Sequence, residues 1–304
     1  MSETETIQLI KFDIDQYLRD GDATIAKRAE VEAVADKIHD EGYENIFLLG
    51  IGGTFDELDM VRYFMNKYSE VEVHLINAAE FNVLGHNRLK KNSVVITASA
   101  SGDTKEIVEA ATKISAEGIR VVAFTRPETP LGKVSSTVIA APVATGRCDY
   151  TYMLFDVLML RLLNRRGEFD GYQRFLDQTK NLYHDLVDIR IKFEDKANEI
   201  ARAYAHEPYS IFVGSGALWG EVVLFSMCIL EEMQWVRTRS VTSAEFFHGT
   251  LELVEPGVPV FLLKGEDECR ALDNRVEAFC EKYTDKLVVI DTAEYAIDGL
   301  DPEF

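Results

Sequence analysis

A serine- and threonine-rich segment, Ser99 to Thr104, combines residue types that could bind an anion. It reads Ser-Ala-Ser-Gly-Asp-Thr, follows an apolar stretch ending at Ile96 that resembles a strand, and precedes a helix-like stretch that begins at Ile107. Such a junction offers unpaired backbone N–H groups and the positive end of a helix dipole. One hydroxyl would be enough to cap the helix. Three of them, on Ser99, Ser101 and Thr104, favour a phosphate-binding loop in which Gly102 allows the turn.

The composition narrows the class of partner. The chain has 304 residues, of which 47% are hydrophobic and 28% charged, and its formal net charge is -20. Such a charge repels nucleic acid and anionic membrane surfaces, so we expect neither partner. No apolar run approaches the length of a membrane-spanning helix.

Compartment and cofactor expectations follow from the N-terminus and the cysteines. The acidic start of the chain lacks the basic and apolar regions of a signal peptide. The four cysteines are widely spaced, which predicts reduced, mostly buried thiols in a cytoplasmic protein. The histidines lack metal-binding spacing, so we expect no metal and no cofactor. The cysteines are Cys148, Cys228, Cys269 and Cys280.

Short apolar segments alternate with helical patterns, which predicts parallel sheets covered on both faces. The predicted strands of the first half are 46–49, 71–76, 93–97, 121–124 and 138–140. A single helix is predicted over 23–40, and a strongly apolar one over 152–165. Residues 170–205 predict one or two amphipathic helices that bridge two halves, and strand–helix alternation resumes after Pro208.

The second half repeats the first at a nearly constant offset. Gly50 corresponds to Gly214, and Ala79 in Ala-Glu-Phe corresponds to Ala244 in the same tripeptide. A glycine after a strand is common in α/β proteins, but the second pair at the same spacing indicates a duplication. The second copy has Lys-Gly-Glu-Asp over 264–267 where the first has its hydroxyls. Because acids repel phosphate, we expect one phosphate loop per chain, in the first half.

A strand, an S-x-S-G-x-T loop and a helix within a duplicated α/β chain resemble the sugar isomerase (SIS) family, whose domains bind phosphosugars. The resemblance implies two tandem SIS domains, each a parallel sheet flanked by helices on both faces in a flavodoxin-like, doubly wound arrangement. We place them at 1–165 and 207–304, with a helical bridge over 166–206. Gly52, Gly53 and Thr54 resemble the first substrate loop of the family, with threonine where serine is usual.

A second motif resembles a narrower group. Residues 243–251, Ser-Ala-Glu-Phe-Phe-His-Gly-Thr-Leu, are similar to a segment shared by the isomerase part of glucosamine-6-phosphate synthase and the fructosamine-6-phosphate deglycases. In both groups a catalytic glutamate precedes the histidine at the spacing of Glu232 and His248. The resemblance implies that Glu232 is the proton-transferring base and that His248 is an acid or opens the sugar ring. Without it, Glu232 would be a surface acid at a helix end and His248 a structural residue.

The resemblance implies cleavage of a phosphorylated Amadori compound, a 6-phosphofructose-amino acid, to glucose 6-phosphate and a free amino acid. The chain lacks the synthase's glutaminase domain and its C-terminal lysine tail, which favours the deglycase. A ketose–aldose isomerase, or a hexosamine-6-phosphate-forming enzyme without a glutaminase domain, is the nearest alternative. A non-catalytic phosphosugar sensor is the third.

The resemblance implies active sites shared between subunits, with the histidine coming from the neighbouring subunit, so we expect a homodimer or a higher homo-oligomer. The apolar helix over 152–163 could form the subunit interface or belong to the internal core. Arg147, at a strand-to-helix junction, could line the amino-acid end of the substrate. Glu245 is interpreted as structural, because the first half has Glu80 at the corresponding position. No motif indicates which amine is released.

Overall fold

The computed structural model describes residues 9–140 and 147–304 and contains two parallel sheets. The strands of the first sheet lie in the order β2-β1-β3-β4-β5. All neighbouring pairs are parallel, as predicted. The strands are β1 (Asn45–Gly50), β2 (Glu72–Asn77), β3 (Val94–Ala98), β4 (Arg120–Phe124) and β5 (Thr137–Ile139).

The second sheet repeats the strand order of the first. Its order is β7-β6-β8-β9, which matches β2-β1-β3-β4 strand for strand. Gly50 pairs with Asn77 at the end of the first sheet's central pair, and Gly214 pairs with Thr242 at the same place in the second. This shared order supports the duplication inferred from the sequence. The strands are β6 (Ser210–Gly214), β7 (Thr238–Thr242), β8 (Val260–Lys264) and β9 (Leu287–Asp291).

Helices cover both faces of the first sheet. Because side chains alternate along a strand, Leu48 of β1 faces one apolar cluster and Leu49 faces the other. Ile107 packs in the second cluster, whereas the apolar helix after residue 147 packs in the first. The helices before that one are α1 (Ile14–Ala26), α2 (Arg28–Glu41), α3 (Gly53–Tyr68), α4 (Ala78–Leu84), α5 (Lys105–Ala116) and α6 (Pro130–Val134).

The prediction of one helix over 23–40 was wrong at Lys27. Its backbone N–H donates to Thr24 three residues back at 3.0 Å, and Lys27 itself serves as the N-cap of α2. The apolar spacing continues through this residue, so periodicity alone does not reveal the break.

The apolar helix is α7 (Cys148–Arg165), and it lies in the core of the first half. Leu154, Leu158 and Leu163 are each almost completely buried within the single chain. This decides between the two alternatives: α7 is internal core. It is followed by α8 (Tyr172–Gln178) and the long α9 (Leu182–Tyr204).

Helix α9 packs against apolar clusters of both halves. Leu186 near its start packs against the first core, and Tyr204 at its end packs against an apolar cluster of the second half. The bridge is therefore two helices, α8 and α9.

A π-helix interrupts the regular pattern of the second half. Helix α10 (Trp219–Leu224) continues directly into a π-helix, Phe225–Met233, a form often found at functional sites. The remaining helices are α11 (Ser243–Phe246) and α12 (Arg270–Tyr283). No helix in the described part of the chain has both the length and the apolar composition needed to cross a membrane. Only Cys280 is buried, and the other three cysteines are half-buried free thiols, so the expectation of mostly buried thiols was wrong.

Candidate functional site

The structure brings the three hydroxyls of the predicted phosphate loop together. Ser99 Oγ lies 3.0 Å from Thr104 Oγ1 and 3.5 Å from Ser101 Oγ, and it accepts a hydrogen bond from the Gly102 N–H at 3.0 Å. Ser99 is buried at the end of β3, whereas Ser101 is exposed. The loop therefore has a buried hydroxyl that organises its backbone and an outer hydroxyl that can reach a ligand.

The start of α5 carries donors that no helix carbonyl can satisfy. Thr104 is its N-cap residue but makes no side-chain capping bond, so its hydroxyl is not used in the way the simpler interpretation requires. The N–H groups of the first helical turn point toward the loop, since the first intrahelical bond runs from Val108 N to Thr104 O at 2.9 Å. Hydroxyls and helix donors thus converge on one place.

Gly102 is required by both conformation and space. Its φ is 71°, in the region that favours glycine, and a Cβ there would collide with the side chain of Thr129. Its carbonyl accepts a hydrogen bond from Leu131 N at 2.9 Å, which ties the loop to α6. The loop is consequently held in one shape by its neighbours.

The other predicted substrate loop packs against the π-helix of the second half. Gly52, with a φ of 56°, precedes α3, and a Cβ on Gly53 would lie 3.5 Å from Cys228 Sγ. At Gly220 of α10 a Cβ would collide with the Asp56 carbonyl of α3. The two helices approach each other so closely that only glycine fits at this crossing.

A cavity of about 320 Å³ lies where these parts meet. Thr54 and Gly53 line it from the first loop, and Ala98 and Ala100, the neighbours of Ser99, line it from the second. Both predicted substrate loops therefore border a single cavity. Its other lining residues come from β4 and the residues after it, from the start of α7, and from α10 and the π-helix: Phe124, Thr125, Arg126, Arg147, Cys148, Tyr150, Thr151, Leu154, Leu224, Cys228 and Ile229, together with Ile51 and Glu57.

Glu232 lies at the rim of this region rather than in its wall. It is exposed, and it follows Cys228 by four residues on the π-helix. Burial raises the pKa of the Cys228 thiol, and the nearby charges of Asp56 and then Glu232 raise it further. The carboxylate of Glu232 is thus close enough to a cavity-lining thiol to affect its ionisation.

His248 lies elsewhere in the same chain. It is exposed just after α11, and its N–H donates to the Glu245 carbonyl at 2.9 Å. It follows the C-terminal end of β7, whereas Glu231, beside Glu232, accepts a hydrogen bond from Thr238 at the start of that strand. The four steps from Thr238 to Thr242 span roughly 13 Å. The segments that carry Glu232 and His248 therefore adjoin opposite ends of β7, and both catalytic roles stay predictions.

Glu245 occupies the same structural position as Glu80 of the first half. Its N–H donates to Thr242 Oγ1, the N-cap of α11, just as Glu80 N donates to Asn77 Oδ1 at the start of α4. Both are first-turn acids beside a capped helix end, where a negative charge is favoured.

The sequence interpretation missed a group of acids beside the cavity. Burial raises the pKa of Glu57 to about 8 and that of Asp56 to about 7, with Glu221 raising both further. Tyr152 of α7 donates a hydrogen bond to Glu221 at 2.7 Å. The available signal was Glu57 at three residues after Thr54, on the same face of α3. The described residues contain no group of His, Cys, Asp and Glu side chains that could hold a metal ion.

Comparisons with known proteins identify the family. No family model matches the chain. Fructosamine deglycase FrlB of Bacillus subtilis is 30% identical over 288 residues, which cover 92% of this chain and 86% of that protein. The chain belongs to the fructosamine deglycase family. Fructoselysine 6-phosphate deglycase of Escherichia coli is 26% identical over 90% of this chain and 80% of its own length.

Solved structures agree with this family assignment. A Bacillus subtilis protein provisionally named a phosphosugar isomerase superposes with a TM-score of 0.83 at 28% identity, over 92% of this deglycase-family chain and 87% of its own. The C-terminal domain of a glucosamine-fructose-6-phosphate aminotransferase from Francisella tularensis has a TM-score of 0.80 at 15% identity, covering 95% and 88% of the two chains. The second comparison shows a shared fold only.

Proposed function

We propose that this member of the family is a fructosamine-6-phosphate deglycase built from two tandem SIS domains, 1–165 and 207–304, joined by a bridge over 166–206. The observation that carries the proposal is the single cavity bordered by both predicted substrate loops, with the π-helix of the second half completing its wall. A phosphosugar would place its phosphate at the hydroxyls after β3 and its sugar beside Thr54.

The reaction needs two proton transfers and a water. Glu232 removes a proton from C1 of the Amadori compound, which gives an enaminol. Return of a proton to C2 produces an aldimine at C1, which water cleaves to glucose 6-phosphate and the free amino acid. A carboxylate suits the first transfer, and the imidazole of His248 suits protonation of the ring oxygen.

We further propose that His248 reaches Glu232 from a neighbouring subunit, as the family resemblance implies; in one chain Glu231 contacts the start of β7, whereas His248 follows its end. The surface beside Glu232 supports this. Met233 is 65% exposed and Trp235 is 88% exposed, and large apolar side chains exposed together are typical of interaction sites. Trp235 also has a φ of 59°, which is costly for a residue other than glycine.

Incubation of the purified protein with fructoselysine 6-phosphate tests the activity. We expect equal amounts of glucose 6-phosphate and lysine. Ketose–aldose interconversion of phosphosugars without release of an amine would indicate an isomerase instead. Saturable binding without turnover would indicate a sensor.

Glu232→Gln tests the base, and we expect kcat to fall by about a thousandfold while phosphosugar binding is retained. The matched control is Glu231→Gln, which changes the adjacent exposed acid and should keep nearly full activity. Normal turnover by Glu232→Gln would remove this residue from the mechanism.

Mixed oligomers test the sharing of the site. Glu232→Gln and His248→Ala subunits are each expected to be inactive alone. When they are mixed and allowed to exchange as dimers, about one quarter of wild-type activity should return, since half of the dimers then contain one intact site. No recovery after proven exchange would place both residues in one subunit.

A further inference from the structure

Glu57 is an acid in the cavity wall without a counter-charge. It lies on α3 one turn after Thr54, and among the described residues it makes no hydrogen bond or ion pair. The charged groups that act on it are acids, Glu221 and Asp56, and Glu221 already accepts the hydroxyl of Tyr152. A carboxylate in such surroundings is destabilised unless a cation from outside the chain binds beside it.

Arg147 is a second uncompensated charge in the same wall. Its guanidinium stacks over Phe12 and Tyr17, at 5.4 and 5.6 Å from the ring centroids, and it makes no ion pair within the described part of the chain. Arg126, the other cation of the wall, lies 3.7 Å from Glu128 and is therefore already paired. The cavity thus presents one carboxyl group, whose ionised form a bound cation would favour, and one guanidinium to whatever enters it.

We propose that Glu57 binds the ammonium nitrogen joined to the sugar and that Arg147 binds the carboxylate of the amino acid carried by that nitrogen. The assignment of ends follows from the chain: Glu57 is one turn from the sugar-binding Thr54, whereas Arg147 starts a different helix. This inference rests on the proposed function, and it names the residues that select the amine. Both contacts are charge-assisted hydrogen bonds, which are the strong class.

The two contacts give a specific order of preference. A sugar phosphate without nitrogen leaves both charges unpaired, an alkylamine adduct pairs Glu57 alone, and an amino-acid adduct pairs both. A site that leaves a buried charged group unpaired discriminates strongly against the smaller ligand.

Three non-reactive ligands separate the contributions by calorimetry. Hexitol 6-phosphate has no nitrogen, its 1-pentylamino derivative adds the amine, and its 6-aminohexanoate derivative, linked through the nitrogen, adds only the carboxylate. None has a C2 carbonyl, so none can react. For the wild type we expect affinity to rise about tenfold at each step.

Each variant should abolish only one of the two increases in affinity. Glu57→Gln should bind the pentylamino derivative no better than hexitol 6-phosphate. Arg147→Gln should bind the 6-aminohexanoate derivative no better than the pentylamino one. The control Glu117→Gln, an exposed acid at the end of α5, should show both steps unchanged. If Glu57→Gln does not fold, Glu57→Asp replaces it, with an expected loss of part of the first step.

The outcomes distinguish this inference from the function on which it rests. Equal affinity of the wild type for all three ligands would overturn the inference and leave the phosphosugar site intact. Failure of all three to bind would overturn both. Both steps surviving in Glu57→Gln and Arg147→Gln would show that other residues select the amine.

Discussion

The loops after β3 and β8 occupy corresponding positions in the two sheets but treat an anion differently. After β3, three hydroxyls converge at the start of α5, and among residues 9–140 and 147–304 no side-chain carboxylate accepts from the first N–H groups of that helix. After β8, Asp267 accepts hydrogen bonds from Ala217 N at 2.8 Å and from Cys269 N at 2.7 Å. The second loop thus carries its own anion, joined to the backbone after β6.

The surroundings of Asp267 are adjusted to that internal anion. Gly216, with a φ of 59°, leaves room for the carboxylate, since a Cβ there would collide with it. The comparison teaches that one of the two corresponding loops is filled by the chain's own carboxylate, while the other presents hydroxyls in its place, as a ligand-binding loop would.

The largest effect is expected for Gly102→Ala, which breaks the first loop. The positive φ and the collision with Thr129 together should lower the free energy of unfolding by about 3 kcal/mol. Gly265→Ala is the matched change in the second loop, where the new Cβ would have only ordinary contacts, the nearest at 3.5 Å. Urea unfolding should show that Gly265→Ala loses less than about 1 kcal/mol of unfolding free energy. Similar losses for Gly102→Ala and Gly265→Ala would contradict the difference between the two loops.

Removal of the internal anion by Asp267→Ala is expected to cost about 2 kcal/mol of unfolding free energy, because two backbone donors lose their acceptor. Added inorganic phosphate should then restore part of the loss by occupying the opened position. Asp103→Ala in the first loop is the control, since Asp103 is exposed and should change stability by less than about 0.5 kcal/mol. A phosphate response identical to that of the wild type would refute the internal-anion interpretation.

Local patterns made most of the first loop and the strands of the first sheet predictable. Ser99, Ser101 and Thr104 follow a strand and precede a helix, so their convergence required only the junction to be recognised. The same logic placed the strands, whose apolar runs are short and regular. The relation of Glu232 to His248 was not predictable in this way, because it depends on the direction of β7 and on packing between distant segments.

Two further features were not recognised in the sequence, for the same physical reason. The sequence around Asp267 was interpreted only as repelling phosphate, because an acid that fills its own anion site looks like any other acid. Glu57 resembled a solvent-facing acid of an amphipathic helix, and its burial is created by α7 and α10 packing around it. Tertiary contacts, rather than local spacing, decide the charge state of such residues.

The acids of the two halves should respond oppositely to pH. Burial raises the pKa of Asp56 to about 7, with Asp59 and Glu221 contributing, whereas a hydrogen bond from Arg270 holds the pKa of Asp291 below its usual range. A carboxyl group whose pKa is raised by folding stabilises the fold at low pH. That contribution is lost as pH rises from about 4 to about 7. At pH 8 the free energy of unfolding of Asp56→Asn should therefore be about 1.5 kcal/mol higher than that of the wild type. At pH 4 the two values should be the same.

The control for that experiment is Asp291→Asn, for which the change in the free energy of unfolding at pH 8 has the opposite sign. A carboxyl group whose pKa is lowered by folding stabilises the fold at pH values above its pKa in the unfolded chain, which is near 4. This contribution is lost only as pH falls through the lower pKa of the folded state. The variant should accordingly be less stable than the wild type at pH 8. Urea titrations at the two pH values measure both changes, and equal shifts of the same sign would contradict the opposite roles of the two acids.

The smallest effect concerns Ser101, the exposed hydroxyl of the first loop. Ser101→Ala removes one donor to the phosphate, and because the phosphate is held equally before and during the reaction, KM should rise about fivefold while kcat stays nearly constant. Thr112→Ala, which removes a hydroxyl on α5 that bonds to Val108 O, should change neither constant. An unchanged KM for Ser101→Ala would mean that Ser99, Thr104 and the helix donors hold the phosphate without the Ser101 hydroxyl. The two loops would then differ only in whether an internal acid is present.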